Sequence, residues 1–410
     1  MTISLGCHDD STPRADVDAF FASLRNVSGN PDTACLIDDA GRRVYPTSLA
    51  PASVFTIAQV QEILRDVGFF PGGKIDGICG YRTRSAIRLF QEYVQSVEQR
   101  RCRPDGIFGP GTASELQRWL DNSIKADWLP QLVQWSNATL LESDGDFNYC
   151  LSFLEKVKAH RLQSPGVLIE KVSKYNAHSA TRAVSDWTFD DREIHLIGIR
   201  HAEQSAAHRF DDVLVLLIKG LVFVFQASTE PGSTTNKAGA PFLVPGQHEY
   251  GFGLHQGSYH ALRPKNGGVL VVRSKDDMAL TEDDLQRALE SNTTINIHWG
   301  GRGVARNVNN WSAGCQVVAG AGYLNHSGKV VLRHDVAINN TRLKRSGGRL
   351  SRGAYDVLTD LVIGLSNDMK NPGRVLYTLL HEEDLNLDPQ MLQKMNTYRN
   401  AAIARFGEAG

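Results

Sequence analysis

The sequence has no surplus of charge of either sign, because 44 Lys and Arg residues balance 45 Asp and Glu residues. A chain without a basic surplus has no general attraction for nucleic acid or for an anionic membrane surface. Long apolar runs are also missing: the longest, at 213–225, is interrupted by Lys219 and is too short to span a bilayer. We interpret this run as a buried strand, and we expect neither a nucleic-acid partner nor a membrane span.

Paired cysteines are missing as well. The six cysteines are scattered and form no CxxC pair; they are Cys7, Cys35, Cys79, Cys102, Cys150 and Cys315. Such scattering is typical of free thiols made in a reducing cytosol, with a Cys79–Cys102 disulfide as the alternative because both lie in one small module. No recognised metal-ligand spacing such as HExxH occurs, so we expect no metal ion and no cofactor.

The N-terminus lacks the marks of an export signal. Residues 1–18 have neither the positive flank nor the apolar core of a Sec signal peptide. We therefore expect synthesis in the cytoplasm without a Sec leader. A function outside the inner membrane would then require another route of delivery.

What the sequence does contain is a repeated motif. DGICGYRT at 76–83 recurs as DGIFGPGT at 105–112, so that both copies read D-G-I-x-G-x-x-T. A helix-like apolar pattern follows each copy, and another precedes the first at 57–67. We expect Asp-Gly to form a tight turn, the second glycine to adopt a left-handed backbone, and the threonine to cap the next helix.

These residues resemble the three-helix peptidoglycan-binding module, which we place at 51–122. The alternative is a generic helical bundle with two similar caps. The resemblance implies peptidoglycan as a partner, docked in a shallow groove beside the two turns. On expected exposure alone, Tyr81, Arg82 and Arg84 are the candidate groove residues.

The remaining chain predicts an α+β protein, in which the small three-helix module precedes a mixed, mainly antiparallel β domain with flanking helices. The predicted strands are 193–199, 213–218, 221–226, 268–273, 294–298 and 374–380, and the predicted helices are 15–25, 282–291, 354–365 and 389–406. The predicted units are an N-terminal extension at 1–50 (with a short hairpin or loop at 31–50), the module, a helical connector at 123–165, the β domain at 166–385 and a C-terminal helix at 386–410.

One short stretch of the β domain concentrates residues suited to nucleophilic catalysis. His298 ends a predicted strand, and Ser312, Gly314 and Cys315 form a Ser-x-Gly-Cys turn that we expect to open a short helix. A nearby imidazole or helix N-terminus lowers a thiol pKa and so favours the reactive thiolate. The glycine lets backbone N–H groups converge on an oxyanion, while the serine hydroxyl braces either the turn or the imidazole.

These two blocks resemble the YkuD-type L,D-transpeptidase domain, in which His-Gly is followed by Ser-x-Gly-Cys. The resemblance implies that Cys315 attacks the carbonyl of an L-to-D peptide bond and holds the acyl group as a thioester. It implies that His298 is the general base, and that Ser312 and Gly314 shape the oxyanion turn. An amine acceptor gives cross-linking, whereas water gives carboxypeptidase or endopeptidase activity.

The sequence departs from that pattern at three positions. Trp299 separates His298 from Gly300, Ala313 stands where many members carry a polar residue, and Val317 replaces the arginine two residues after the cysteine. Loss of this arginine weakens the case for acceptor binding and cross-linking. The arginines that could replace it in space are Arg273, Arg302 and Arg306.

Together these features predict a cysteine enzyme that processes peptidoglycan stem peptides through an acyl-thioester. It would be an L,D-carboxypeptidase or endopeptidase, or an L,D-transpeptidase. We expect it to act in the periplasm or cell wall after non-Sec delivery, as an antibacterial effector or a phage lysin. Its further partners would be a secretion apparatus or holin and a cognate immunity protein. The alternative is an inactive wall-binding protein with a transpeptidase-like domain.

Overall fold

The computed structural model of the chain describes most of the predicted elements. The described residues are 3, 6–20, 36–37, 43–44, 54–69, 74–126, 145–201, 210–232, 238–255, 259–275, 279–300, 308, 312–320, 322–326, 330–332, 354–365 and 374–406.

Three helices cover the repeated motif: α1 (Ile57–Asp66), α2 (Tyr81–Ser96) and α3 (Pro110–Asp121). Helix α1 begins at Thr56, whose side chain accepts a hydrogen bond from the Gln59 N–H while the Gln59 side chain binds the Thr56 N–H. This reciprocal capping box satisfies two backbone donors that a helix N-terminus leaves unpaired. Helix α3 begins with Pro110, whose missing N–H costs nothing in a first turn.

An aromatic cluster joins these helices. Phe69, Phe90, Tyr93 and Trp119 have ring centroids 5.2 to 5.5 Å apart, mostly edge to face. Aromatic pairs in this geometry each add roughly 0.5–1.5 kcal/mol beyond the area that they bury. All four side chains are buried, so this cluster is the centre of the helical region.

The second region is a mixed β domain. The described strands of the chain are β1 (Leu36–Ile37), β2 (Arg43–Val44), β3 (His195–Arg200), β4 (Asp212–Ile218), β5 (Leu221–Ser228), β6 (Ala240–Leu243), β7 (Gly246–His255), β8 (Tyr259–Pro264), β9 (Val269–Ser274), β10 (Glu290–Asn292), β11 (Ile297–Trp299), β12 (Gln316–Val318), β13 (Gly322–Leu324), β14 (Val330–Leu332) and β15 (Val375–His381). Strands β1 and β2 precede the helical region, and the others belong to the β domain. The principal sheet has the order β12-β11-β8-β7-β15-β3-β4-β5-β13-β14, and β12 also pairs with β5. Eight of its strands therefore form a closed ring.

The ring is mainly antiparallel. Among the described ladders, β11 pairs with β12 and β15 with β3 in parallel, whereas the others are antiparallel. The short strands β6, β9 and β10 form a separate sheet, and β1 pairs with β2 as an antiparallel hairpin. The predicted α+β class, with a helical region and a β domain, is confirmed.

Five further helices flank the sheets. They are α4 (Gly145–Gln163), α5 (Gly166–Ser173), α6 (Glu282–Leu285), α7 (Ala354–Leu365) and α8 (Pro389–Phe406), with 3-10 turns at Val184–Asp186 and Glu382–Leu387. Helices α4, α7 and α8 contact the principal sheet, whereas α5 and α6 pack on the separate sheet of β6, β9 and β10. The side chains of β4 point alternately into two hydrophobic cores. Leu214 and Leu216 belong to the core that includes α7, whereas Val213 and Val215 belong to the core that includes α4 and α8. Every residue of β4 is buried, as expected when successive side chains of a strand point to opposite faces and both faces are covered.

The helical region packs directly on the β domain. In the contact between α2 and α7, Arg88 Nε donates to Asp360 at 2.6 Å, and Arg84 lies 3.2 Å from the same carboxylate. Both arginines also pair with Asp356. The Arg88 side chain is 1% exposed and the Asp360 side chain is 3% exposed, so this ion-pair cluster is an internal part of the fold. Farther along α2, the Tyr323 hydroxyl donates to the Glu92 carboxylate.

Several predicted elements differ from the structure. The predicted helix at 282–291 is wrong beyond Leu285, because residues 290–292 form β10 against β9. The helix expected at 15–25 is described only to residue 20, and the apolar stripe of the connector, Trp128, Leu132 and Trp135, lies outside the described residues. The unit boundaries stay predictions.

Two expected absences concern the described residues only. No described helix is long and apolar enough to cross a membrane. The five described cysteines carry free thiols, so the alternative disulfide between Cys79 and Cys102 is not formed.

Candidate functional site

Each copy of the repeated motif is organised by a buried glutamine from the preceding helix. Gln61 Nε2 lies 2.9 Å from Asp76 Oδ1, 3.0 Å from the Ile78 carbonyl and 2.9 Å from Thr83 Oγ1. Its Oε1 accepts from the N–H groups of Asp76 and Gly77. One amide side chain therefore ties the Asp-Gly turn to the helix that follows it.

Gln91 repeats this arrangement in the second copy. Its Nε2 lies 3.1 Å from Asp105 Oδ1 and 2.9 Å from both the Ile107 carbonyl and Thr112 Oγ1, while Gly106 N–H donates to its Oε1. Sequence reasoning missed both glutamines. The signal was present but indirect, because a glutamine stands 15 residues before the first Asp-Gly and 14 residues before the second, each on a helix where a polar residue suggests solvent.

The turns differ from expectation in two details. The left-handed residues are the first glycines, Gly77 and Gly106, with φ of +68° and +71°. The second glycines are the N-cap residues of α2 and α3 and have negative φ. Thr83 and Thr112 therefore do not cap the helices; their hydroxyls face back to the turn and donate to the carbonyls of residues 78 and 107.

The N-terminal segment lies along the same two turns. Ile3 forms an antiparallel bridge with Phe108, and His8 forms one with Ile78. The Asp9 carboxylate accepts from the N–H groups of Ile57 and Ala58, at 2.7 and 2.9 Å. A carboxylate there satisfies orphan donors and complements the helix dipole. Residues 3, 8 and 9 of the extension are thus part of the fold of the helical region.

The structure gives a different result for each of the three candidate groove residues. Arg84 was chosen for its expected exposure, and this expectation is wrong: its side chain is 18% exposed and pairs with α7. Arg82 is half-buried, and the Tyr81 side chain lies outside the described residues. Their contribution to wall binding stays a prediction.

The second candidate site is built on the parallel pair β11 and β12. His298 is the central residue of β11 and lies opposite Val317 of β12. Cys315 immediately precedes β12, so the Ser-x-Gly-Cys turn opens a strand and not the expected helix. No helix dipole therefore acts on the thiol, and the close placement of Cys315 and His298 comes from strand pairing.

Ser312 braces the turn. Its hydroxyl donates to the Cys315 carbonyl at 2.7 Å and accepts from the Gly314 N–H at 3.1 Å. The Gly314 N–H is consequently engaged within the turn and does not point at an oxyanion. Gly314 has φ of +118°, and a Cβ there would lie 2.5 Å from the Pro241 carbonyl oxygen, which explains the glycine.

The environment of Cys315 favours the neutral thiol. Its Sγ donates to the Thr294 carbonyl at 3.3 Å and accepts from the Asn296 N–H at 3.4 Å. Burial raises the pKa of this thiol to about 11, against a smaller lowering by the Asn296 N–H. The expected lowering of the pKa is therefore wrong, because burial disfavours the thiolate and no cation among the described residues offsets this effect.

His298 is also neutral. Burial, with a smaller effect from His255, lowers the pKa of its imidazole to about 3. His298 Nδ1 lies 2.9 Å from the Trp299 carbonyl oxygen, which can only accept, so Nδ1 carries the proton. In this tautomer Nε2 has the lone pair, as a general base requires.

His255 is the site residue that sequence reasoning left out. Its ring centroid lies 4.1 Å from that of His298, and its Nδ1 lies 2.9 Å from Asn296 Nδ2. One ligand atom from each of His255, His298 and Cys315 lies within 4.8 Å of the other two, so the described residues include one three-residue set able to hold a metal ion. His255 ends β7, about forty residues before β11, and only the sheet order brings it here.

Val317, which stands where the family that this domain resembles has an arginine, contributes to a hydrophobic cluster. Val317 is fully buried in a small apolar cluster with Phe210, Val308 and Ala319. Of the candidate substitutes, Arg273 pairs with Glu290 at 2.8 Å and donates to the Gly239 carbonyl. Arg302 and Arg306 lie outside the described residues.

Comparison with known proteins identifies the helical region. The family model "Putative peptidoglycan binding domain" matches residues 56–116, which cover α1, α2 and both repeated turns. No curated protein and no solved structure matches the chain. The match supports a role connected with the cell wall and peptidoglycan as a partner.

Proposed function

We propose that this protein binds peptidoglycan through its helical region and cleaves stem peptides with Cys315 as nucleophile and His298 as base. The observation that carries the proposal is the placement of these two side chains on neighbouring parallel strands, with the tautomer of His298 held by the Trp299 carbonyl. The match to a peptidoglycan binding domain supplies the substrate class.

The two pKa values favour one order of events. Since thiol and imidazole are both neutral at rest, His298 Nε2 removes the thiol proton as Sγ attacks the carbonyl carbon. The C–N bond then breaks, the leaving amine takes the proton, and the acyl group stays on sulfur as a thioester. Water, deprotonated by His298, attacks the thioester, which releases a carboxylic acid and restores the thiol.

Water is the proposed acceptor because two described positions at which a cation could hold a second stem peptide do not offer one. Val317 packs into an apolar cluster, and Arg273 is engaged with Glu290, so neither supplies a cation for an acceptor. We therefore favour L,D-carboxypeptidase or endopeptidase activity over L,D-transpeptidation.

The test is mass analysis of muropeptides after purified sacculi are incubated with the full chain. We expect shortened stems or fewer cross-links with the native protein and none with Cys315→Ala, since loss of a covalent nucleophile typically costs about 10⁴-fold or more in rate. Cys7→Ala is the matched control and should retain activity, because Cys7 lies near the first repeated turn. New 3-3 cross-links without trimming would refute hydrolysis.

The second candidate is a wall-binding protein without catalysis. The raised pKa of Cys315, to about 11, favours this reading, because a buried neutral thiol is typical of a structural cysteine. In that case the native chain sediments with sacculi and leaves every muropeptide unchanged. Absence of sedimentation would refute both candidates.

We further propose that the protein acts in the periplasm or cell wall, as an antibacterial effector or a phage lysin. Its apparent substrate lies there, and a cognate immunity protein would block the site. The native chain should be harmless in the cytoplasm and toxic when a periplasmic leader is fused to it. Toxicity that persists in Cys315→Ala would contradict this setting.

A further inference from the structure

Three separate strands of the sheet bring two imidazoles and one thiol together. His255 ends β7, His298 lies in β11, and Cys315 precedes β12. Their ligand atoms lie within 4.8 Å of one another. A tetrahedral zinc ion with bonds of about 2.0–2.3 Å spaces its ligands about 3.3–3.8 Å apart, so the three side chains need to close by only about 1 Å.

The surroundings of both rings match those of metal-bound histidines. A ligating histidine usually donates its other ring N–H to an oxygen, which sets the tautomer and the ring orientation. His298 Nδ1 already donates to the Trp299 carbonyl. His255 Nδ1 faces the Asn296 amide, which offers an oxygen when it is turned over, since the two ends of an amide are nearly isosteric. Nε2 would be the ligand atom of each ring.

We propose that His255, His298 and Cys315 together bind one divalent transition-metal ion of the zinc class, which displaces the thiol proton and leaves its fourth position to water. Imidazole and thiolate are the ligands that zinc prefers over carboxylate and carbonyl groups. The ion would engage both Cys315 and the basic nitrogen of His298, so metal binding and thioester chemistry exclude each other. This inference uses the same side chains as the proposed hydrolysis but does not require it.

The protonation states of the two imidazoles and the thiol predict how many protons are released when the metal ion binds. The pKa values of His255 and His298 are lowered to about 4 and about 3, mainly by burial, so both rings are neutral at pH 7 and lose no proton. The thiol must lose one. Among the described residues, two other groups act on the cluster: the Arg263 guanidinium beside His255, and the Tyr250 hydroxyl, whose pKa burial raises well above its ordinary value. Affinity should therefore rise about tenfold per pH unit across this range.

The test is calorimetric titration of the metal-free full chain with Zn²⁺, repeated in buffers of different ionisation enthalpy at pH 6.5 and 7.5. We expect one ion per chain and about one proton released per ion. Co²⁺ should give the near-ultraviolet charge-transfer band of a thiolate ligand. Zn²⁺ should also slow alkylation of Cys315, but not of Cys7, in the native chain, a readout that needs no substitution.

Variants assign the ligands. Cys315→Ser should abolish the Co²⁺ band. His255→Gln should weaken Zn²⁺ binding by more than the roughly 10–100-fold that is typical when a residue hydrogen-bonded to a metal ligand is lost. His160→Gln, at an exposed histidine of α4, is the matched control and should bind as the native chain does. Unchanged affinity in both site variants, no thiolate band, or release of no proton would overturn the proposal.

The activity assay separates the two proposals. A chain that trims sacculi but binds no Zn²⁺ refutes the metal site alone. A chain that binds Zn²⁺ with these signatures but never alters a muropeptide supports the metal site and refutes the hydrolysis.

Discussion

Replacement of Gln91 by methionine tests whether a buried amide holds the second repeated turn. Methionine has nearly the same length and no hydrogen-bonding amide, so the change removes polar contacts with little change of volume. An NH₂ group has two hydrogens, and the three acceptors around Gln91 Nε2 must share them. With the Gly106 N–H that donates to Oε1, the side chain makes about three hydrogen bonds.

The expected loss follows from this count. At about 1 kcal/mol for each bond, Gln91→Met should cost about 3 kcal/mol, and the Gly106 N–H is left buried without its acceptor. If the loss appears as local opening, amide hydrogen exchange at 105–112 should accelerate by about 100-fold or more, since each 1.4 kcal/mol is a factor of ten. Gln61→Met should do the same at 76–83, with a larger loss because its Oε1 accepts two N–H groups.

Hydrogen exchange with mass spectrometry measures these segments in the full chain. Gln117→Met is the matched control, because Gln117 makes one exposed hydrogen bond to Asp121 and should leave exchange unchanged. Exchange at 105–112 in Gln91→Met within about threefold of the native rate would mean less than about 0.7 kcal/mol, and the reasoning would be refuted.

Two further changes probe the β domain. Gly314→Ala places a Cβ against the Pro241 carbonyl at φ of +118° and should lower the free energy of unfolding by at least about 1–3 kcal/mol. The control is Gly111→Ala, which has open space in the first turn of α3 and should be neutral or stabilising. Equal thermal unfolding temperatures of the two variants would contradict this. Burial lowers the pKa of His248 from 6.5 to about 3, so between these values the unfolded chain binds a proton that the folded protein does not, and stability falls with falling pH by up to about 1.4 kcal/mol per unit. His248→Gln should remove this contribution from the pH dependence of urea unfolding, and an unchanged slope above pH 5 would show that His248 does not contribute.

The local pattern of apolar and turn residues was sufficient to predict many of the helices and strands. The helix at 354–365 and the C-terminal helix at 389–406 have the predicted bounds, and the predicted strands at 213–218 and 221–226 lie within β4 and β5. These segments have a strong apolar period and clear turn residues at their ends. The predicted helix at 282–291 was wrong because its second half pairs with β9, a tertiary contact that helix propensity does not include.

The candidate sites show where local pattern is insufficient. Spacing along the chain identified Cys315 and His298, but the pKa of the thiol depends on burial by residues far apart in sequence. His255 was left out of the predicted catalytic residues because its approach to His298 depends on the strand order across the ring. Arg84 was misjudged because exposure on an isolated helix says nothing of α7, which lies about 270 residues later in the chain.

Under the proposed hydrolysis, the ion-pair cluster between α2 and α7 has a consequence for where on the wall the protein would cut. An anchor on a flexible linker lets an attached enzyme sample every bond within its reach. Here Arg88 and Asp360 are buried between the two regions, so a packed contact and not only a linker holds the helical region on the β domain. The spacing between a gripped strand and an attacked bond is then constant. A single offset would select bonds by position on the strand, and the products would carry a regular length pattern set by the size of the molecule.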